Sequence, residues 1–245
     1  MINMKLLAPH CFEPFPEVVA SMSLRDESWP GALSMLHNGT DEATAQQNRR
    51  RFCRELGFSP RRLAIPRQTH SDDIHTVREE YHRHDGDAVI TVEPEWLLGV
   101  TVADCVPVLL FDPSSGSYAA IHSGWRGSAQ NIAGKTVIKM IRELGLEPEQ
   151  ARAWIGPAAG ADSYEVGAEV VEQFNRQYSW PQSEDSWLFD NKSVVRDQLI
   201  DQGVLEEHIE ISSLDTIANQ ELHSARRDGD QSGRMLAAIG VLQLS

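Results

Sequence analysis

Leu97-Leu98-Gly99-Val100-Thr101-Val102-Ala103-Asp104-Cys105-Val106-Pro107-Val108-Leu109-Leu110-Phe111 decides how this chain folds. It is two aliphatic runs separated by Ala103-Asp104-Cys105, and an apolar run without polar alternation marks a strand buried on both faces. Similar short runs lie on either side: Leu63–Ile65, Ile74–Val77 and Ala88–Val92 before it, Tyr118–Ile121 after it, separated by Gly, Pro and Asp. Beyond them Ile132, Ala133, Thr136, Val137, Met140, Ile141 and Leu144 recur at three- and four-residue intervals ahead of Gly145, which predicts a helix over Ser128–Leu144. An earlier helix is expected over Asp41–Leu56, capped by Thr40 or Asp41 and stopped by Gly57. Later come a strand at Ala151–Ile155, helices at Ala168–Tyr178 and Ser193–Gln202, and strands near Ile209–Ser212 and Met235–Leu242. Strands and helices intermingle without strict alternation. The expected fold is therefore α/β of the α+β kind, a single domain over residues 1–245 with a mixed central sheet flanked by helices.

The 245 residues carry 36 acidic and 22 basic side chains, a formal net charge of -14. Such a chain repels phosphate backbones and anionic membrane surfaces, so neither nucleic acid nor membrane is expected as a partner. No apolar run approaches the length needed to cross a bilayer and Met1 to Pro16 has no leader-like apolar core, so a cytoplasmic location is expected. The three cysteines cannot all pair, which directs attention to packing, metal ligation or thiol chemistry. Cys53 lies beside Phe52 on the inward side of the first helix and reads as a small buried hydrophobe. Cys11 sits in a Pro-punctuated stretch without a companion motif.

Cys105 is different because two histidines share its setting. Gln68-Thr69-His70, Val102-Ala103-Asp104-Cys105 and His122-Ser123-Gly124-Trp125-Arg126-Gly127 each place a soft ligand at a strand edge. Two imidazoles and one thiolate could hold one metal with a position left open, the count of catalytic rather than structural sites. Because the three lie far apart in sequence, their convergence must be tertiary. A metal-free alternative makes Cys105 a nucleophile with His122 as its base. Copper also suits the set, although nine histidines with His82-Arg83-His84 as the sole His-x-His pair do not assemble a multicopper cluster. A module that senses nucleotides without turnover is a further possibility. Gly124-Trp125-Arg126-Gly127 opens the expected helix, and free N–H groups there, with the Arg126 guanidinium, could hold a phosphate. Asp104 or Asp87 could orient a ligating histidine or move a proton. Arg226, Arg227 and Arg234 form a basic cluster, for which surface ion pairing is the expected role.

Pro66-Arg67-Gln68-Thr69-His70, Asp87-Ala88-Val89-Ile90-Thr91, the segment Thr101 to Leu110, and Ala120-Ile121-His122-Ser123-Gly124-Trp125-Arg126-Gly127 together resemble the YfiH-like, or laccase-domain, family of purine nucleoside phosphorylases. Trp154-Ile155-Gly156-Pro157, Tyr164-Glu165-Val166-Gly167, Arg226-Arg227-Asp228 and Ser232-Gly233-Arg234-Met235 continue the resemblance over most of the chain. It implies a zinc ion on His70, Cys105 and His122, with copper possible in the same place. These three and Asp104 are then the expected catalytic residues, and Arg126, Gly124, Gly127 and Gln68 the substrate and phosphate contacts. The implied chemistry is phosphorolysis of adenosine, inosine or methylthioadenosine, and deamination of adenosine. An older label for the family is copper-dependent polyphenol oxidase, and some members are associated with editing of peptidoglycan precursors. Departures from the family pattern lie at Arg25–Leu36, at Leu214-Asp215-Thr216-Ile217 and at Leu222-His223, whereas Leu36-His37-Asn38-Gly39 resembles it again.

Overall fold

The structure, a computed structural model, describes residues 4–36 and 40–243, so His37 to Gly39 of the family-like stretch lie outside the described residues. Among the described residues no helix is long and apolar enough to cross a membrane. The expected mixed sheet is present as two large mixed sheets. One has the strand order β1 (Leu6–Leu7), β2 (Val18–Ser23), β14 (Met235–Val241), β6 (Leu97–Val102), β3 (Leu63–Ala64), with β3 parallel to β6 and the rest antiparallel. The other has the order β13 (Ile209–Ile211), β9 (Arg152–Ile155), β7 (Val106–Phe111), β8 (Tyr118–Ser123), β5 (Ala88–Thr91), β4 (Ile74–Thr76). A small third sheet joins β10 (Glu165–Val166), β12 (Trp187–Phe189) and β11 (Ser179–Pro181).

The continuous apolar runs explain the layering, because strands buried on both faces need cover on both. Along β5 and β7, Val89, Leu109 and Phe111 point between the sheets, where they meet Leu98, Val100 and Val102 of β6 and Met235, Ala237 and Ile239 of β14. The alternate residues Ala88, Ile90, Val106, Val108 and Leu110 face the other way. They pack under α3 (Ile132–Leu144) and α5 (Asn191–Ile200) through Ile132, Val137, Met140, Val195 and Leu199. On the far side, Leu97, Leu236 and Ala238 are covered by Phe52 and Cys53 of α1 (Glu42–Glu55). Helix, sheet, sheet and helices thus form four layers. Each fully buried aliphatic side chain contributes roughly 1.5–3 kcal/mol to holding them together.

Two expected helices are revised. Ser128–Leu144 is broken into α2 (Trp125–Ala129) and α3, because Asn131 takes a left-handed conformation (φ 61°) and caps α3, its side chain accepting from the Gly134 N–H. Asn tolerates that conformation and supplies the cap, so the apolar periodicity from Ile132 onward is real while the start is not. Ala168–Tyr178 shrinks to α4 (Ala168–Val171) and a separate 3-10 turn at Arg176–Tyr178, because Asn175 is extended. Phe174 packs on Phe189, ring centroids 4.8 Å apart. Cys53 is buried as expected. The sixth helix is the short α6 (Ala225–Asp228).

His223, in the position where the sequence departs from its family, is 3% exposed with its Nε2 3.1 Å from the Ala32 carbonyl oxygen. Burial, and the nearby Arg25 and Arg234, bring its pKa down to about 4 from the ordinary 6.5, against the opposing pull of the Ala32 carbonyl and Asp228. On acidification the unfolded chain takes up the proton first. Stability is therefore complete above about pH 6.5 and falls, by roughly 3 kcal/mol from this residue, as the pH drops toward 4. His223→Phe is expected to flatten that part of the profile, whatever the substitution costs at neutral pH. Denaturant unfolding of both proteins at pH 7 and pH 4.5 checks this, and an unchanged difference between them would refute it.

Candidate metal centre

Strand pairing carries the scattered ligands to one edge. β7 and β8 are antiparallel with Pro107 opposite His122 and Val106 opposite Ser123, so Cys105, one residue before β7, falls beside Gly124. β5 pairs with the other side of β8, Ala88 opposite Ile121, which sets Asp87 directly across from His122. The β3–β4 connection then brings His70 over this edge. The Nε2 of His70 lies 4.0 Å from Cys105 Sγ, the two imidazoles cross edge to face with centroids 5.0 Å apart, and one ligand atom from each of the three residues lies within 4.8 Å of the others. Among the described residues this is the one group of three such side chains gathered closely enough to hold a metal ion.

Asp87 organises the group from beneath. It is fully buried, and its carboxylate accepts from the N–H groups of Thr69 (3.1 Å), His70 (3.1 Å) and Ser71 (2.7 Å) and from the Ser71 hydroxyl (2.9 Å). It also receives His122 Nδ1–H at 2.7 Å, which leaves Nε2 as the ring nitrogen available to a metal. One carboxylate therefore holds the backbone of one imidazole residue and the ring of the other. His70 has φ 59°, left-handed backbone that this anchoring maintains. The other candidate orienter, Asp104, is committed elsewhere. Its carboxylate accepts from the Thr216 hydroxyl (2.6 Å) and the Arg226 N–H (2.7 Å), tying the β6–β7 crossover, itself at φ 87°, to α6.

The electrostatics separate Cys105 from the other cysteines. Burial alone would raise its thiol, yet the neighbouring imidazoles of His122 and then His70 bring it well below the usual thiol range. Burial would likewise lower His122, but the Cys105 thiolate and Asp87 raise it. Burial opposes ionisation of Asp87 as well, and the bonds from His122 and Ser71 still hold its carboxyl down to about 2. Burial pushes Cys11 up and Cys53 up to about 12. Cys105 is thus the thiol prepared to act as a thiolate ligand. The donor set, soft and offering three ligands among the described residues, fits zinc or copper.

The cluster opens on a cavity of about 460 Å³ whose walls include Gln68, Tyr164, Arg226 and Arg234. The sequence-expected contacts divide here. Gly124 borders the cluster: a Cβ on it would sit 3.0 Å from both Cys105 Sγ and His70 Cδ2. Gly127 instead packs closely against Ile132 and the Ser71 carbonyl, and Arg126 is exposed, its guanidinium 4.1 Å over the Trp125 ring and outside the cavity. On that loop α2 is only one turn long, and the Arg126 guanidinium turns outward onto Trp125. Gln68 lines the cavity, but its amide is clamped to Thr101, donating to the carbonyl at 2.7 Å and accepting from the N–H and the hydroxyl at 2.8 Å each. Its visible task is to fasten the His70 loop to β6.

The three C-terminal arginines, expected to pair alike at the surface, also divide. Arg227 does pair, with Asp228 at 2.8 Å. Arg226 and Arg234 face the cavity, the latter because Met235 is opposite Val102 and Arg234 is therefore carried to the crossover at Ala103. That register is what a linear reading lacked.

With this geometry in place, the likenesses are specific. Residues 29–242 match the family described as "Multi-copper polyphenol oxidoreductase laccase". The chain belongs to this family. Among relatives of this laccase-domain chain, the "Purine nucleoside phosphorylase" of Bacteroides thetaiotaomicron is 33% identical over 223 residues, covering 84% of this chain and 83% of that protein. The "Purine nucleoside phosphorylase YlmD" of Geobacillus stearothermophilus is 34% identical over 252 residues, 93% of this chain and 91% of that protein. In three dimensions the chain is similar to the YfiH protein of Bacillus licheniformis, with a TM-score of 0.90, 28% identity, and 98% and 97% of the two chains covered. The crystal structure of YlmD gives a TM-score of 0.86 at 31% identity, covering 94% of each chain.

Proposed function

We propose that this laccase-domain protein is a zinc-dependent purine nucleoside phosphorylase, acting on adenosine, inosine or methylthioadenosine, that also deaminates adenosine. The observation that carries the reading is the open His70, Cys105, His122 group at the base of a cavity large enough for a nucleoside. The names of the relatives point to the same substrates. His70, Cys105 and His122 would hold the ion. Bound there, zinc supplies a Lewis acid that polarises substrate oxygen and lowers the pKa of water, the chemistry that deamination needs.

The residues of the chain do the rest. Asp87 keeps the His122 Nδ1 proton in place, so that the ring presents its Nε2 lone pair, and fixes His70 through its N–H. Tyr164 and Arg226, the guanidinium 5.3 Å from the ring centroid, form a flat wall suited to a purine face. In phosphorolysis a phosphate oxygen bonds to C1′ as the C1′–N9 bond breaks. The bonding pair leaves with the base, which gains the proton given up by the phosphate. The site's contribution is to align these groups and to exclude water.

Copper in this same site would account for the older oxidase label, since the described residues offer one ligand cluster rather than several. Zinc-loaded protein incubated with adenosine, with and without phosphate, is expected to give adenine only with phosphate and inosine without it. Removing the metal with a chelator is expected to lower both rates at least about 100-fold, with restoration by added zinc. Free base or inosine forming at full rate in the stripped protein, or in neither condition with zinc, would sink the reading.

A further inference from the structure

Several arginines of this chain are matched by carboxylates: Arg25 by Glu27 and Asp228, Arg49 by Glu42, Arg67 by Asp85, Arg196 by Asp197 and Arg227 by Asp228. Arg234 is not. It lines the cavity beside the candidate metal centre, is partly buried, and forms no ion pair among the described residues. Its guanidinium is nevertheless held still, because Nη1 donates to the carbonyls of Ser232 and Gly233, both at 2.9 Å. Among the described residues those two bonds leave the Nε and Nη2 edge without an acceptor. That edge is the fork that matches two oxygens of one oxyanion. Arg226, on the same wall, is likewise without a carboxylate, and its one side-chain bond is from Nη1 to the Glu165 carbonyl at 2.6 Å. Of the two cavity-facing guanidinium groups, Arg226 is exposed and Arg234 is half-buried, so the unpaired charge of Arg234 is the costlier one. Burying an unpaired cation is costly, and a bound anion removes the cost.

We propose that Arg234, assisted by Arg226, is the phosphate-binding site of this enzyme, with inorganic phosphate held on the Arg234 fork in the cavity that His70, Cys105 and His122 also line. The assignment rests on the phosphorylase reading for its catalytic meaning, but the anion site itself can be measured without turnover. It displaces the Gly124 to Gly127 loop, whose Arg126 lies outside the cavity.

Equilibrium dialysis of the zinc-loaded protein against labelled inorganic phosphate, alongside initial rates of phosphorolysis, tests it. Wild type is expected to bind one phosphate, Arg234→Met to lose it, and Arg234→Lys, which keeps the charge but not the fork, to bind at least about tenfold more weakly. Arg226→Gln, at an exposed position where folding is not at stake, is expected to weaken binding about threefold to tenfold. In turnover the Arg234 changes belong in the KM for phosphate, with phosphate-independent formation of inosine from adenosine retained. If Arg234→Met binds phosphate like wild type, if Arg126→Gln is the variant that loses it, or if wild type binds none, the proposal is wrong. Phosphate binding that depends on Arg234 without phosphorolysis would keep the anion site and remove the phosphorylase reading. Phosphorolysis with an unchanged phosphate KM in Arg234→Met would do the reverse.

Discussion

Asp87→Asn is expected to unsettle both the fold and the metal, although it changes one atom. The carboxylate accepts six hydrogen bonds, from Thr69 twice, His70, Ser71 twice and His122, and it has no exposed surface. An ionised carboxylate is a pure acceptor, whereas an amide must turn its NH2 toward at least one of those donors. If the NH2 meets His122, the ring loses the partner that fixes its tautomer. If it takes the other oxygen's place it meets the N–H groups of Thr69 and Ser71, and the turn on either side of the left-handed His70 loses its anchor. Breaking such a buried charged network costs about 3–5 kcal/mol, and loss of a carboxylate behind a ligating histidine typically weakens metal binding about 10- to 100-fold. Denaturant unfolding of the metal-free protein reads the first effect, and competition for zinc against a chelator of known affinity reads the second. Wild-type values in both would show that Asp87 is a bystander.

Gly124→Ala should affect the metal centre with almost no effect on the fold. Gly124 has φ −71° and ψ 168°, a conformation open to any residue, so the glycine is not there for its backbone freedom. The added methyl would press on Cys105 Sγ and His70 Cδ2, each 3.0 Å away, and must push one ligand aside. The ligand must give by a few tenths of an ångström, a fraction of the ~1 Å misplacement that costs about 100-fold in rate, so a loss of about tenfold is expected. Unfolding free energy within about 1 kcal/mol of wild type, together with a loss of kcat/KM near that size, is the expected pair of results. A fully active, fully zinc-loaded variant would mean that the cluster is not the reaction centre.

The strands around the site were legible because residues such as Leu97–Val102 and Val106–Phe111 are apolar at every position, a pattern produced by burial on both faces. His70, Cys105 and His122 were legible for a related reason, since each stands where an apolar run gives way to a turn. Less was readable where the chemistry of a residue is ambiguous until its neighbour is known. Arg226, Arg227 and Arg234 are chemically identical side chains, yet one pairs with Asp228 and two face the cavity. Gln68 reads as a substrate contact beside His70, and the structure also ties its amide to Thr101, through its oxygen and one N–H. Asn131 breaks a helix whose periodicity runs unbroken in the sequence, because one polar side chain serves as both left-handed corner and cap.

What the sequence determined by itself is local: which segments are buried strands, which face of α3 is apolar, and which three side chains are soft ligands at strand ends. Those follow from side-chain chemistry and the periods of strand and helix. Tertiary structure decided that two mixed sheets stack face to face, that register sets Asp87 opposite His122, and that the β6–β7 crossover brings Arg234 to the same cavity as Cys105. The physical reason is that register and sheet stacking are set by the packing of the whole core. Shifting β5 or β14 by one residue would turn Asp87 or Arg234 away from the site and every apolar side chain of that strand out of its layer.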